Sequence, residues 1–156
     1  MPIMGGSAGG ILVGRSITER PDLFAAAIDD APVPDMLRIE FSEKGVPNLP
    51  EYGSLKAEDG FKGLYATNSY YWVKAGTPYP AVLVTTGLND PRVDGWQVGR
   101  MAARLHAATS SRMPVLLRID YDAGHGIGST NKQDYEERAD VMAFLLWQFG
   151  VQGFQP

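Results

Sequence analysis

The stretch Gly5-Gly6-Ser7-Ala8-Gly9-Gly10 leaves the backbone few choices. A short apolar lead, Pro2-Ile3-Met4, runs into it, and the apolar-periodic Ile11-Leu12-Val13 follows. Strand, sharp glycine-rich turn and helix form the context in which G-x-S-x-G becomes a nucleophile elbow. There the serine takes a strained backbone conformation that only small neighbours permit, so Gly5 and Gly9 are required by sterics. Ser7 then projects its hydroxyl at a helix N-terminus, and the backbone N–H of Ala8 points where an oxyanion forms. The hexapeptide alone is equally compatible with a plain turn into a helix, the serine acting as its N-cap. A phosphate cradle is disfavoured, because no Lys-Ser/Thr pair closes the glycine run.

Beyond the turn, the first helix is expected over residues 9–17, ending before Pro21. The apolar run at 23–28, closed by Asp29-Asp30, reads as a buried strand of a parallel sheet covered on both faces. Residues 31–52 carry four prolines and form an irregular excursion with a short helix at 36–41. Such a long irregular segment in a compact domain usually binds at or covers a site. A second short helix fits residues 54–66. The aromatics Tyr65, Tyr70, Tyr71, Trp72 and Tyr79 then crowd together as packing residues, with some available to line a pocket.

Residues 80–85 form the clearest strand, and Thr86-Gly87 mark its turn. A helix follows at 95–109, with Val98, Met101, Ala102 and Leu105 at helical spacing. Residues 114–121 are the last strand, 122–130 a glycine-rich loop, and 132–149 the closing helix, stopped by Gly150. Tyr135, Met142, Leu145 and Phe149 are its expected apolar stripe; Asp134, Glu136, Glu137 and Asp140 are its expected solvated side. Strands alternating with helices make this an α/β chain, three-layer, with a mostly parallel sheet of about four strands.

The 156 residues, 44% of them hydrophobic, suffice for one domain over 1–156 with its own core. A net charge of −4 without a basic block argues against nucleic acid. No apolar run is long enough to cross a bilayer, so no membrane partner is expected. The N-terminal residues lack the basic-then-apolar pattern of a secretory leader, which favours the cytoplasm while leaving the compartment open. With no cysteine, disulfides and thiolate metal sites are excluded.

Only His106 and His125 can serve as an imidazole base. His125 sits in the loop after the 114–121 strand, and Asp90 in the loop after the 80–85 strand. Serine, acid and histidine thus follow in the chain order of α/β-hydrolases, each at the C-terminal end of a strand. Ser7 attacks an acyl carbon in this scheme. His125 takes and returns its proton, and Asp90 fixes the imidazole tautomer. The rivals are His106, which reads as a surface residue near a helix C-terminus, and Asp120 or Asp122, which read as loop structure. Asp90 has its own plain reading, a turn former before Pro91.

The resemblance to a known family rests on several stretches in one order. They are Gly5 to Gly10, Arg20-Pro21-Asp22-Leu23-Phe24, Glu51-Tyr52-Gly53, Tyr79-Pro80-Ala81-Val82-Leu83, Asn89-Asp90-Pro91-Arg92-Val93 and Ala123-Gly124-His125-Gly126. Together they resemble the prolyl oligopeptidase family of serine peptidases across nearly the whole chain. The resemblance implies a truncated α/β-hydrolase with Ser7, Asp90 and His125 as its triad. It also implies that Arg92 hydrogen-bonds a substrate carbonyl, the alternative being a surface salt-bridge arginine.

The departures shape the expectation. The chain has no room for the family's β-propeller and lacks its early hydrolase strands. The second oxyanion donor goes with them, a loss on the order of 10²–10³ in rate. The tryptophan that stacks on the substrate proline would fall near Asn48. A weakened oxyanion hole favours easily expelled alkoxides, so the expected activity is a promiscuous esterase on short-chain or activated esters. The alternatives are a peptidase on short peptides and a catalytically silent fragment or assembly module. No metal or cofactor is called for. The strand at 2–4 would lie at a bare sheet edge, which predicts a homo-oligomer joined there.

Overall fold

The computed structural model describes residues 1–126 and 129–156. Four strands form one sheet in the order β1 (Pro2–Gly6), β2 (Ala26–Asp30), β3 (Ala81–Gly87) and β4 (Val115–Asp120), every pair parallel. Parallel neighbours need crossovers, and helices supply them. These are α1 (Ala8–Glu19), then the short α2 (Leu49–Tyr52), α3 (Glu58–Thr67) and α4 (Ser69–Trp72), and finally α5 (Gly95–Ala108). The last helix, α6 (Asn131–Gln148), follows β4.

Side-chain alternation along the strands divides the core in two. Ala27, Val82 and Val84 face α1 and α5, packing with Val13, Ile17, Val98, Met101 and Leu105. Ala26, Ile28, Ala81 and Leu83 face the other way, onto Phe144 of α6. The result is a three-layer α/β domain. On α1 the buried residues are Gly10, Val13, Gly14, Ile17 and Thr18, an i, i+3, i+4, i+7, i+8 stripe. The excursion after β2 caps this layer with a third cluster, Met36, Ile39 and Leu64. Buried Asp35 anchors it, accepting from Asn68 Nδ2 at 2.9 Å and pairing with Arg100 at 3.2 Å.

Two expectations need correction. The strand foreseen at 23–28 starts later. Pro21–Leu23 is a 3₁₀ turn, for which a proline at its head is preorganised, and β2 continues through Asp29 and Asp30. The apolar run therefore ends before the strand does, and two carboxyls enter the sheet. On α6, Tyr135 and Met142 are 68% and 54% exposed. The inward face is Glu137, Val141, Phe144 and Leu145: the last three pack on Ala26, Ile28, Ala81 and Leu83, and Glu137 meets the end of β2 at Asp30. The part of the 122–130 loop at residues 127 and 128 lies outside the described residues.

Asp29 and Asp30 point to opposite sheet faces. Asp29 is buried, and its Oδ1 has no hydrogen-bond partner. A Cβ on Gly10 would lie 2.7 Å from that oxygen, so α1 closes directly over it. Burial pushes the Asp29 carboxyl well above the usual range, and the Asp30 charge adds to this. The folded chain thus keeps a proton that the unfolded chain releases above pH of about 4. Stability falls as pH rises from there until the folded group ionises. Asp29→Asn removes this dependence. Urea denaturation from pH 5 to 8 should show the wild type losing stability relative to the variant, at up to about 1.4 kcal/mol per pH unit. Parallel pH profiles would show that Asp29 ionises in the folded chain.

Candidate active site

Because all four strands run parallel, their C-terminal ends lie along one rim, and the loops leaving β1, β3 and β4 meet there. Ser7 leaves β1 with φ 54° and ψ −122°, a conformation L-residues avoid. Its N–H donates to the Asp30 carbonyl at 2.8 Å, which ties the turn to β2. The Ser7 hydroxyl makes no capping hydrogen bond to α1, so the plain N-cap reading does not describe it. Ala8 is the first residue of α1, and its N–H is among those a helix leaves without an internal partner. Of the two glycines expected to be required, the structure needs Gly5 and not Gly9: a Cβ on Gly5 would stand 2.8 Å from the Gly9 carbonyl oxygen, whereas one on Gly9 would meet open space.

Asp90 is 2% exposed, with its carboxylate fully engaged. Oδ1 accepts the backbone N–H groups of Arg92 at 2.7 Å and Val93 at 2.8 Å. Oδ2 lies 2.6 Å from Nδ1 of His125. Three hydrogen bonds offset the cost of burying the charge. An ionised carboxylate only accepts, so it favours the tautomer with the proton on Nδ1 and leaves Nε2 free to act as a base. Ser7 and His125 line one pocket of about 130 Å³, shared with Asp30, Ala31, Thr86, Gly87 and Glu137. Ala31 is the second non-glycine residue with positive φ, 41°. Backbone strain of this kind gathers at working sites.

The other candidates lie elsewhere or are otherwise occupied. His106 is exposed on α5, beside a separate hollow with Arg112 and Met113. Asp120 borders the site pocket, but its Oδ1 accepts the N–H groups of Asp122 and Ala123 and so shapes the loop. Arg92 is exposed and borders a smaller cavity with Asn48 and Gln97, away from the Ser7 pocket. The aromatics of residues 65–79 pack on one another or on arginines: Tyr65 against Trp72, and Arg100 and Arg104 over Tyr70.

Three contributors escaped the sequence reading. Lys44 reaches from the excursion to the Asp90 carbonyl at 2.7 Å and to Asp94 at 3.2 Å, pinning the acid loop from above. Glu137 turns into the site instead of solvent. Gly87 lets the histidine loop cross the end of β3, since a Cβ there would come 2.4 Å from the carbonyl oxygens of both Ala123 and Gly124. Only Gly87 had a visible signal, its place at a strand end.

Comparison with known proteins adds a second line of observation. Residues 1–152 match the profile of the prolyl oligopeptidase family. The prolyl endopeptidase of Elizabethkingia meningoseptica is 35% identical over 156 residues, covering 99% of this chain and 22% of the relative. Dipeptidyl aminopeptidase BI of Pseudoxanthomonas mexicana is 34% identical over 155 residues, covering 95% and 21%. A solved prolyl endopeptidase superposes with a TM-score of 0.91 at 34% identity, over 97% of this chain and 22% of that one. Oligopeptidase B of Trypanosoma brucei, solved with covalently bound antipain, gives 0.90 at 29% identity. The chain thus spans about a fifth of the length of these relatives. Peptidases are what these likenesses name. They lend nothing to the expected preference for esters and favour the peptide alternative.

The Gly87 contact is open to direct test. Gly87→Ala must displace the backbone that carries His125, and should cost about 1–3 kcal/mol in chemical denaturation. Gly99→Ala, inside α5 with its nearest neighbour 3.9 Å from the new Cβ, is the matched control. It should stabilise by about 0.5–1 kcal/mol.

Proposed function

Since this chain belongs to the prolyl oligopeptidase family, a family of serine peptidases with the α/β-hydrolase fold, we propose that its rim is an acyl-transfer site acting on short peptides. The observation that carries this reading is the 2.6 Å contact between His125 and buried Asp90, in a pocket shared with the strained Ser7.

In this reading the Ser7 Oγ attacks the scissile carbonyl carbon as its proton passes to His125 Nε2. The Asp90 carboxylate steadies the resulting imidazolium, and the Ala8 N–H receives the oxyanion. The C–N bond then breaks, the leaving amine takes the proton from His125, and the acyl group stays on Ser7. Water, deprotonated by the same imidazole, releases the acid and restores the serine. Arg92, exposed two residues after Asp90, is the candidate for holding a substrate carbonyl.

A fluorophosphonate probe should label Ser7 in the wild type and nothing in Ser7→Ala. Asp90→Asn should slow turnover on the order of 10⁴-fold. Chromogenic proline peptides and p-nitrophenyl esters, compared by kcat/KM, distinguish peptidase from esterase. Absence of labelling in a folded chain would leave the silent-module reading standing.

Association of copies belongs to the same proposal. β1 is an edge strand, Met4 on it is 68% exposed, and the adjoining hollow is lined by Ile28, Val141, Met142 and Leu145. Asp134 and Arg138 border that hollow and offer self-complementary charge across a two-fold axis. A second copy paired edge to edge through β1 should therefore appear as a dimer in light scattering at low micromolar concentration. A stable monomer there would refute it.

A further inference from the structure

The excursion of residues 31–52, expected from its irregular length to cover a site, reaches the loop that carries Asp90. Ser42 to Val46 form a tight turn in which the Ser42 carbonyl accepts the N–H groups of Gly45 at 3.0 Å and Val46 at 3.1 Å. The turn is seated on the buried cluster of Met36, Ile39 and Leu64: a Cβ on Gly45 would lie 2.1 Å from the Ile39 carbonyl oxygen. From this footing the Lys44 ammonium donates to the Asp90 carbonyl at 2.7 Å. Asp94 fixes the ammonium there. One Asp94 oxygen pairs with Lys44 at 3.2 Å, and the other accepts the Ser42 hydroxyl at 2.5 Å. Asp94 stands at the N-cap of α5, where an aspartate ordinarily accepts an N–H of the first turn. It makes no such bond, and its carboxylate goes to the excursion instead.

The atom that Lys44 holds gives the contact its meaning. Asp90 is 2% exposed, and a buried carbonyl needs a partner. That carbonyl belongs to the peptide bond before Pro91, whose nitrogen has no proton with which to fix the peptide plane. The bonds from Arg92 and Val93 to Asp90 Oδ1 shape the loop from within. Leu88 N–H donates to the Asp120 carbonyl at 2.8 Å and Asn89 N–H to the Ala123 carbonyl at 3.1 Å, which ties the loop to β4 and the histidine loop. Lys44 adds the tie to the excursion. The loop that presents Asp90 Oδ2 to His125 Nδ1 is thus held by two other parts of the chain.

We infer that Lys44 is a positioning residue for the proposed reaction: seated by Asp94 and Ser42, its ammonium sets the plane of the Asp90–Pro91 peptide and with it the carboxylate that meets His125. The inference rests on the reading of Ser7, Asp90 and His125 given above. It gives the excursion a part in the reaction without contact with the nucleophile, for Lys44 is not among the residues lining the Ser7 pocket. With the lysine side chain 34% exposed, the ion pair adds little to stability by itself. Its effect lies in where the hydrogen bond ends, since a misplacement of about 1 Å among reacting groups can cost on the order of 10² in rate.

The chain contains no cysteine, so a single introduced thiol can be modified alone. In Lys44→Cys the thiolate displaces bromide from 2-bromoethylamine, and the new S–C bond leaves a side chain with the length and charge of lysine. Iodoethane, losing iodide in the same way, leaves one without the ammonium. In Lys44→Cys, kcat/KM on a chromogenic proline peptide or p-nitrophenyl ester should fall about 10- to 100-fold. The NMR resonance of the His125 Nδ1 proton, which reports the bond to Asp90, should move. Aminoethylation should restore both, and ethylation neither. If Lys44→Cys does not fold, Asp94→Asn keeps the side chain's shape, unseats the ammonium and carries the same two readouts. A folded variant with an unmoved His125 proton, or one repaired equally by ethylation, overturns the inference. Fluorophosphonate labelling reports separately: an unlabelled Ser7 in the wild type sinks the hydrolase reading, while the His125 proton still decides whether Lys44 sets the acid loop.

Discussion

A strand can hand a serine to a rim only by turning its backbone through a region that L-residues avoid. Ser7 at φ 54° occupies that region, at a cost of about 1–3 kcal/mol. The fold absorbs the strain by holding both sides. Upstream, β1 is hydrogen-bonded along β2, and the Ser7 N–H itself donates to Asp30. Downstream, Val13 and Ile17 of α1 are buried beneath the sheet. Relaxing the turn would mean pulling that stripe out of the core. Ala31, the other strained residue, is tied in the same way, its N–H donating to the Thr85 carbonyl. Strain at adjacent strand ends is thus balanced by the parallel ladder, the same ladder that aligns the loops of β3 and β4.

What could be read in the sequence was whatever local chemistry determines. β3 is apolar or β-branched from Ala81 to Thr86, and it is buried at every position. The serine turn announces itself by glycines, and the order Ser7, Asp90, His125 follows the strand ends. Hidden were the outcomes of tertiary context. Asp29 and Asp30 read as the end of a strand because carboxyls are seldom buried, yet both lie within β2. Glu137 reads as solvated because its neighbours Asp134 and Glu136 are charged, and only the orientation of α6 turns it inward. Lys44 shows no periodicity at all, since its contacts with Asp90 and Asp94 span some of the longest separations in the site. The preference for esters gained no support, and the peptide alternative fits the relatives better, for another reason. It was drawn from parts of the family fold this sequence does not contain, and absent residues say little about what present ones act upon.

The polar groups of the rim are organised by charge and not by polarity alone. Asp90 is met by two backbone N–H groups and the His125 ring in a buried place. Asp29, on the opposite face of β2 from the pocket, receives none at Oδ1 and keeps its proton. The carboxyl of Glu137, half-buried on α6, is raised by burial and further by the Asp30 charge.

The strand order carries a further implication. Each strand pairs with the one before it in sequence, so the sheet widens in a single direction from β1 to β4, and no strand is inserted between earlier ones. A chain emerging from the ribosome can add every strand to a template already made. Within this sheet the Ser7 turn leaves β1, the Asp90 loop leaves β3 and the His125 loop leaves β4, so the three groups share one rim only once β4 has paired with β3.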